Sequence, residues 1–212
     1  MQRYNDFERL DFSSNYVTRN PVIKFLHTRF FARLCHLVGR MGSIPQSVLE
    51  VGAGEGFSTR ALARCLPGNT ILVSSDLIPE LARRNKERSG NYTVLAQDIS
   101  RLAIKSGSVD LVVALEVLEH LPDPGSAVRE LARVTRRSAI VSVPFEPWWR
   151  IGNMLRGAYW RDLGNTPDHR NHWGKRSLWL MLSVEFSSVE ILTSFPWLIA
   201  VCLNPTRKES AN

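Results

Sequence analysis

Short apolar runs alternate with helical patterns along the first two thirds of the chain. Five runs rich in Val, Ile and Leu have the length of buried strands, and they cover residues 47–51, 70–75, 92–96, 109–114 and 138–143. Helical patterns cover residues 21–39, 58–65, 79–88, 99–105 and 124–135. Strands that alternate with helices predict an α/β fold, a doubly wound and mainly parallel sheet with helices on both faces.

The pattern changes after the fifth run. Residues 145–173 have no clean period, and a helical pattern follows over 175–182. Two apolar runs at 188–194 and 197–203 flank a Phe-Pro turn, which predicts an antiparallel hairpin and brings the expected sheet to seven strands. The 212 residues, 44% of them apolar, suffice for one well-buried core, so we expect a single domain.

Composition narrows the class of protein. The apolar content is too high for intrinsic disorder, and no stretch approaches the roughly eighteen apolar residues of a membrane span. The first residues are polar and include acids, unlike a secretory signal, so a cytoplasmic location is expected. Cys35, Cys65 and Cys202 lie far apart and outside any C-x-x-C pair. We therefore expect free, buried thiols and predict neither a disulfide nor a metal site.

Charge and aromatic residues are unevenly distributed. The net charge is +7, and basic residues cluster over 19–40 and 150–176. Such clusters either bind an anionic partner or form the solvated faces of helices. No nucleic-acid-binding signature accompanies them, so a nucleic-acid partner is not expected. All six tryptophans fall between Trp148 and Trp197. The last third therefore carries the large aromatic surface that cores and ligand pockets share.

The strongest local motif is the sequence VLEVGAGEG, residues 48–56, where the first strand ends and a helix begins. Its glycines allow a tight turn and let a ligand lie against the main chain without a Cβ in the way. A dinucleotide fingerprint, G-x-G-x-x-G, would need glycine at 57, where this chain has Phe57. The G-x-G-x-G spacing still places a helix N-terminus beside the ligand, but a full pyrophosphate cradle is not expected.

Acidic residues follow three further strands. Asp76 ends the second strand, where a carboxylate can accept hydrogen bonds from both ribose hydroxyls. Asp98 ends the third strand, and Glu116, Glu119 and His120 follow the fourth. Each acid taken alone is typical of a helix cap or a solvated surface. Together they mark the carboxyl edge of a parallel sheet, where doubly wound folds bind ligands.

These motifs resemble the class I methyltransferases that use S-adenosylmethionine, in particular the small-molecule branch with quinone-biosynthesis and natural-product enzymes. The resemblance covers residues 47–144 and implies S-adenosylmethionine as cofactor, with S-adenosylhomocysteine as product. The cofactor-binding residues that it implies are Glu50, Gly52, Ala53, Gly54, Gly56, Asp76, Leu77, Asp98, Ile99, Leu115 and Glu116. It further implies an N-terminal helical lid over 1–46, a substrate cap over 145–182 and a terminal hairpin over 183–212.

For the site that would bind the methyl acceptor, the sequence offers residue types but no motif. A histidine that titrates near neutrality suits deprotonation of a hydroxyl, so the candidate catalytic residues are His120, His169 and His172, although the first can instead orient the turn and the others can pack a helix. Candidate residues for an apolar or aromatic acceptor site are Trp148, Trp149, Tyr159, Trp160 and Trp173, some of which must be core. The basic cap suggests an anionic small molecule, methylated at oxygen.

Three other functions stay open from the sequence. A nucleic-acid methyltransferase fits the charge, but the fourth strand ends in ALEVLEH and not in the D/N-P-P-Y/F segment of base-amino methylases. A nicotinamide oxidoreductase shares the fold class, but Phe57 and the absence of a Tyr-x-x-x-Lys pattern count against it. A cofactor-binding protein without turnover is the third. The oligomeric state is not predicted.

Overall fold

The structure is a computed structural model that describes residues 20–41, 43–155, 157, 159 and 162–206. The seven strands are β1 (Ser47–Val51), β2 (Ile71–Asp76), β3 (Thr93–Ala96), β4 (Val109–Leu115), β5 (Thr135–Pro144), β6 (Phe186–Ser194) and β7 (Trp197–Pro205). The helices are α1 (Pro21–Gly39), α2 (Phe57–Cys65), α3 (Pro79–Glu87), α4 (Pro124–Val134), α5 (Trp148–Leu155) and α6 (Lys175–Leu182). A 3₁₀ turn, Leu118–His120, follows β4.

The strands form one mixed sheet in the order β3-β2-β1-β4-β5-β7-β6. The first five strands are parallel, and β7 pairs antiparallel with both β5 and β6. The predicted α/β class, the parallel core and the terminal hairpin are therefore confirmed. All seven residues of β4 are buried, as expected for a central strand covered by helices on both faces.

Two hydrophobic clusters cover the two faces of this sheet. One contains Leu49, Val112 and Val141 with residues of α4 and α6, and the other contains Val48, Leu111 and residues of α1 and α2. Neighbouring residues of one strand enter opposite clusters because side chains alternate across a sheet. None of the helices in the described part of the chain has the length and hydropathy that a bilayer crossing requires.

Helix α1 begins at a strong local signal and packs as part of a helical layer. The Asn20 side chain accepts a hydrogen bond from the Val22 amide at 2.9 Å, and Pro21 occupies the first helical position. Leu34 is fully buried against the sheet, and Phe30 contacts Trp197 with ring centroids 5.0 Å apart. The first 19 residues of the expected lid lie outside the described residues.

Residues 99–105, expected to be helical, form turns. The Leu102 amide donates to Glu130 Oε2 at 2.8 Å, and the Ala103 amide donates to Gln97 Oε1 at 3.2 Å. Side-chain acceptors from other elements thus take the amides that a helix would have paired internally. The apolar spacing that favoured a helix comes from Ile99 and Leu102, which are buried in the core as part of a turn.

Two further differences arise from tertiary context. Helix α5 lies within the stretch for which no helix was predicted, and the face formed by Trp148, Ile151 and Leu155 is turned to solvent, with 48%, 41% and 84% of their surface exposed. Cys35 on α1 and Cys65 on α2 form a disulfide, with Cα atoms 5.2 Å apart, so the expectation that both thiols are free was wrong. Their separation of 30 residues carries no local sign of pairing. Cys202 is free and buried, as expected.

Candidate functional site

The glycine turn connects β1 to α2 at the carboxyl edge of the sheet. Gly52, Gly54 and Gly56 have φ angles of +68°, +52° and +77°, a region that glycine enters without the steric cost of a side chain. A Cβ on Gly52 would lie 2.4 Å from Val117 Cγ2, and one on Gly56 would lie 1.9 Å from Asn85 Oδ1. A Cβ on Gly54 would meet nothing within 4 Å. The turn is therefore tightly packed on both sides and open in the middle.

Asp76 holds this turn against the end of β2. Its Oδ2 accepts a hydrogen bond from the Gly54 amide at 2.7 Å, and its Oδ1 accepts one from the Ile78 amide at 2.9 Å. Burial raises the pKa of Asp76 above its ordinary value, although these amide donors oppose the shift. The turn is also anchored by the Ala53 amide, which donates to the Ser75 carbonyl at 2.9 Å. Leu77, next along the chain, is 48% exposed at the same edge.

Glu50 lies one residue before the end of β1 and is almost completely buried, with 1% of its surface exposed. Burial raises the pKa of its carboxyl group to about 7, against the hydroxyls of Ser58 and Thr59, which lower it. A carboxyl group in such an environment stays in the charged form only when a polar or cationic partner compensates for the loss of water.

Asp98 and Ile99 lie beyond β3, and their side chains have local partners. Asp98 is exposed, and its Oδ1 accepts from the amide and the hydroxyl of Ser100, both at 2.8 Å. Ile99 is 7% exposed and belongs to the hydrophobic core. The structure thus brings both residues to the expected edge, with Asp98 at the surface and Ile99 in the interior.

Glu116 follows Leu115, the last residue of β4, and takes a strained backbone conformation with φ +56°. Its Oε1 accepts a hydrogen bond from the Ser142 hydroxyl at 3.0 Å, and its Oε2 accepts one from Trp197 Nε1 at 2.9 Å. Burial and the neighbouring Glu119 carboxylate raise the pKa of Glu116 well above its ordinary value. Sequence reasoning did not identify Trp197 as a site residue, because it lies 81 residues away on β7.

A histidine pair lies beside Glu116, where a distant loop folds over the 3₁₀ turn. The amides of Arg170 and Asn171 donate to the Glu119 carbonyl at 2.8 and 3.1 Å. This attachment brings the His169 ring to 5.1 Å from the His120 ring. His120 Nδ1 lies 3.1 Å from Asp168 Oδ2, so the loop also supplies a carboxylate to the turn.

The pKa values of the two histidines shift in opposite directions. Burial alone would lower the pKa of His120, but Asp168 and Glu119 raise it above its ordinary value. Burial lowers the pKa of His169 to about 4, and the charge on His120 adds to this shift. His169 is therefore neutral at physiological pH. Burial raises the pKa of the adjacent Glu119 to about 7.

The aromatic candidates separate into different environments. Trp149 stacks on His169 with ring centroids 6.0 Å apart and lies 6.1 Å from Trp197. Trp173 is 7% exposed and belongs to the core. The remaining described candidates are at the surface, namely Trp148 (48% exposed), Tyr159 (40% exposed) and His172, whose Nε2 lies 2.7 Å from Asn165 Oδ1. Trp160 lies outside the described residues.

Comparison with known proteins agrees with this arrangement. A family described as "Methyltransferase domain" matches residues 49–143. The ubiquinone biosynthesis O-methyltransferase of Xanthomonas oryzae pv. oryzae is 32% identical over 118 residues, which cover 53% of this chain and 48% of that protein. The chain thus spans about half the length of this relative.

Solved structures show the same fold over more of the chain. The magnesium protoporphyrin IX methyltransferase of Synechocystis PCC 6803, solved with bound SAH, matches with a TM-score of 0.67 at 18% identity and covers 94% of each chain. A SAM-dependent methyltransferase from Aquifex aeolicus matches with a TM-score of 0.59 at 14% identity, covering 79% of this chain and 87% of its own. With its glycine turn, its strand-end acids and the matched segment 49–143, the chain is similar to the class I S-adenosylmethionine-dependent methyltransferases and shares their fold.

Proposed function

We propose that this protein transfers a methyl group from S-adenosylmethionine to an oxygen atom of a small organic acceptor. The observation that carries the proposal is the convergence of three features at the carboxyl ends of β1, β2 and β4. These are the open glycine turn, the buried Asp76 carboxylate bound to it, and the strained, buried Glu116. This edge is where ligands bind in doubly wound sheets.

The residues at this edge fit the cofactor. The open space beside Gly54 allows a ligand to approach the main chain. The amides of Gly54, Leu77 and Ile78 face the Asp76 carboxylate, which has about four acceptor sites and so keeps acceptor capacity for a ribose hydroxyl. Residues proposed for the methionine and ribose parts are Glu50, Gly52, Ala53, Gly54, Gly56 and Asp76. Residues proposed for the adenine side and the floor are Leu77, Asp98, Ile99, Leu115 and Glu116.

The cofactor supplies a methyl carbon activated by a sulfonium. The protein's part is to hold donor and acceptor in line, and such positioning is worth about 7 to 11 kcal/mol of the barrier. Glu116 is suited to positioning because its backbone is strained and its two carboxyl oxygens are held by Ser142 and Trp197. A general base would add a further factor of about 10² to 10⁴ in rate.

The acceptor side of the proposal rests on the segment over residues 145–173. Trp149 from this segment contacts both His169 and Trp197, and Trp197 donates to Glu116, so these rings form an aromatic wall next to Glu116. His120, His169 and His172 are the proposed groups for handling the acceptor proton, and Asp168 orients the first of them. Methylation at oxygen is supported by the name of the Xanthomonas relative, and an anionic acceptor by the basic residues over 150–176.

The first experiment is calorimetric titration with S-adenosylhomocysteine. Asp76→Ala should weaken binding at least about tenfold, since lost hydrogen bonds to a charged group are worth about 1.5 to 3 kcal/mol. Glu190→Ala removes an exposed carboxylate on β6 and should bind as the wild type does. Equal affinity of Asp76→Ala and the wild type would contradict the ribose assignment.

The second experiment identifies the acceptor class. Methyl transfer from radiolabelled S-adenosylmethionine is measured with phenols, hydroxy acids and sugar acceptors, and with an RNA transcript. Transfer to a phenol or hydroxy acid supports the proposal. Transfer to RNA alone, or tight binding of NAD without binding of S-adenosylhomocysteine, would overturn it.

A further inference from the structure

Three potential ligands for a metal ion converge beside the proposed acceptor site. One donor atom each from Glu119, His120 and His169 lies within 4.8 Å of the others. The first two residues are adjacent on the 3₁₀ turn, and the third comes from the loop nearly 50 residues later. We propose that these three side chains bind a divalent transition-metal cation such as Zn²⁺ or Co²⁺.

The Glu119 carboxylate points to a ligand that the protein itself does not supply. Only 1% of Glu119 is exposed, and no other residue in the described part of the chain donates a hydrogen bond to its carboxyl oxygens, which face only the amide of Glu119 itself. Buried polar groups are nearly always paired, and an unpaired buried carboxylate is costly. The neighbouring Glu116 shows the usual arrangement, because Ser142 and Trp197 donate to its two oxygens.

The charge around Glu119 favours a cation. Glu116, Glu119 and Asp168 bring three carboxyl groups together. In the described part of the chain, no ion pair joins any of them to a lysine or an arginine. Asp168 instead contacts His120 Nδ1 at 3.1 Å, the carboxylate–histidine pairing that orients metal-bound imidazoles.

The backbone holds the two halves of the site together before any ion binds. Besides the two amides that bind the Glu119 carbonyl, the Asn171 side chain donates to the carbonyls of Leu118 and Leu121 at 3.1 and 2.7 Å. Metal–ligand bonds of about 2.0 to 2.2 Å place tetrahedral ligands about 3.4 Å apart. Side-chain rotations that move the donor atoms by about an ångström would therefore bring all three within bonding distance of one ion.

Two imidazoles and one carboxylate define the class of metal. Such a set is typical of zinc, cobalt and iron, and three protein ligands leave a position for an exchangeable oxygen. The metal site stands independently of methyl transfer. Only its role rests on the proposed function: a bound ion would lower the pKa of an acceptor hydroxyl, and in the metal-bound protein His120 and His169 would be ligands and not the proton-accepting groups named above.

The test begins with the 212-residue protein, freed of metal by chelator and titrated with Zn²⁺ by calorimetry and with Co²⁺ by visible absorption. We expect one ion per chain. Glu119→Gln and His169→Ala should each weaken binding by at least about tenfold, as should the positioning variant Asp168→Asn. The matched controls are Glu190→Gln and His36→Ala, which change exposed residues on β6 and α1 and should bind as the wild type does.

A second measurement needs no variant. X-ray absorption of the Zn²⁺-loaded wild type should show imidazole and oxygen ligands. Sulfur ligands, no stoichiometric binding, or equal binding by Glu119→Gln and the wild type would overturn the proposal. Failure of the metal site is distinguishable from failure of the proposed function, because the affinity of the metal-free protein for S-adenosylhomocysteine tests the latter alone.

Discussion

Replacement of Gly56 by alanine should destabilise the protein far more than the same change at Gly54, only two residues away. Both positions have positive φ angles, which cost a residue with a Cβ about 1 to 2 kcal/mol. At Gly56 the new methyl group would also lie 1.9 Å from Asn85 Oδ1, whereas at Gly54 it meets nothing within 4 Å. The difference between the two variants therefore measures the packing around Asn85.

Asn85 cannot move without breaking buried hydrogen bonds. It is fully buried, its Nδ2 donates to Ser74 Oγ at 2.8 Å, and its Oδ1 accepts from the Tyr92 hydroxyl at 3.0 Å. Each buried group left without a partner costs about 1 to 3 kcal/mol. With the backbone strain, Gly56→Ala should lose about 3 to 6 kcal/mol. Gly54→Ala should lose about 1 kcal/mol, since a less flexible unfolded chain offsets part of its strain.

Urea denaturation measures this difference, with Gly68→Ala as the control. A Cβ on Gly68 would meet no heavy atom within 4 Å, and Gly68 has no positive φ, so its replacement should change stability by less than about 0.5 kcal/mol. Calorimetry with S-adenosylhomocysteine gives the complementary result, because the Gly54 methyl group would occupy the open space proposed for the cofactor. Equal unfolding free energies for Gly54→Ala and Gly56→Ala would refute the reasoning.

Two other predictions concern stability. Reduction of the Cys35–Cys65 disulfide, or Cys35→Ser, should lower the free energy of unfolding by about 3 to 4 kcal/mol, because the bond closes a loop between residues 30 apart; melting curves that do not change with reductant would contradict this. Burial would raise the pKa of Asp110, but Arg136 and the Gln46 amide lower it overall. The ionised form of Asp110 therefore stabilises the fold fully above the unfolded pKa of about 3.9. This stabilisation is lost as the pH falls through the lower pKa of the folded state. Urea titrations between about pH 5 and pH 2 should therefore show a smaller acid-induced loss of stability in Asp110→Asn than in the wild type, and parallel losses would contradict the assignment.

Local sequence signals predicted the elements that bury apolar residues on a regular period. The strand runs of β1 and β4 and the helices α1 and α6 were predicted at or within a residue of their observed ends. The two helices place apolar residues at helical spacing, and the two strand runs are short, mainly apolar stretches with the length of buried strands, so few other conformations bury the same residues. Helix α5 was not predicted, although Trp148, Ile151 and Leu155 follow helical spacing; these three side chains are exposed and form no stripe that faces the core.

The candidate site likewise combines residues that the sequence identified with partners that only the structure showed. The glycine turn and the strand-end acids were identified from the sequence because each depends on its immediate neighbours and on its place at the end of a strand. The partners of these residues came from elsewhere in the chain. Trp197 donates to Glu116 across 81 residues, and Asn85 packs on Gly56 from another helix. No spacing rule relates such positions, because contacts between elements depend on how the elements pack.

By itself, the sequence determined the order of strands and helices, the parallel core of the sheet and the edge at which a ligand would bind, because hydrophobic period and glycine conformation act within a few residues. Only the tertiary structure decided which side chains meet at that edge. The loop that carries His169 lies on the turn that carries Glu119 because backbone amides 51 and 52 residues later find its carbonyl oxygen. Its own residues give no sign of that pairing, and the candidate metal site exists only through it.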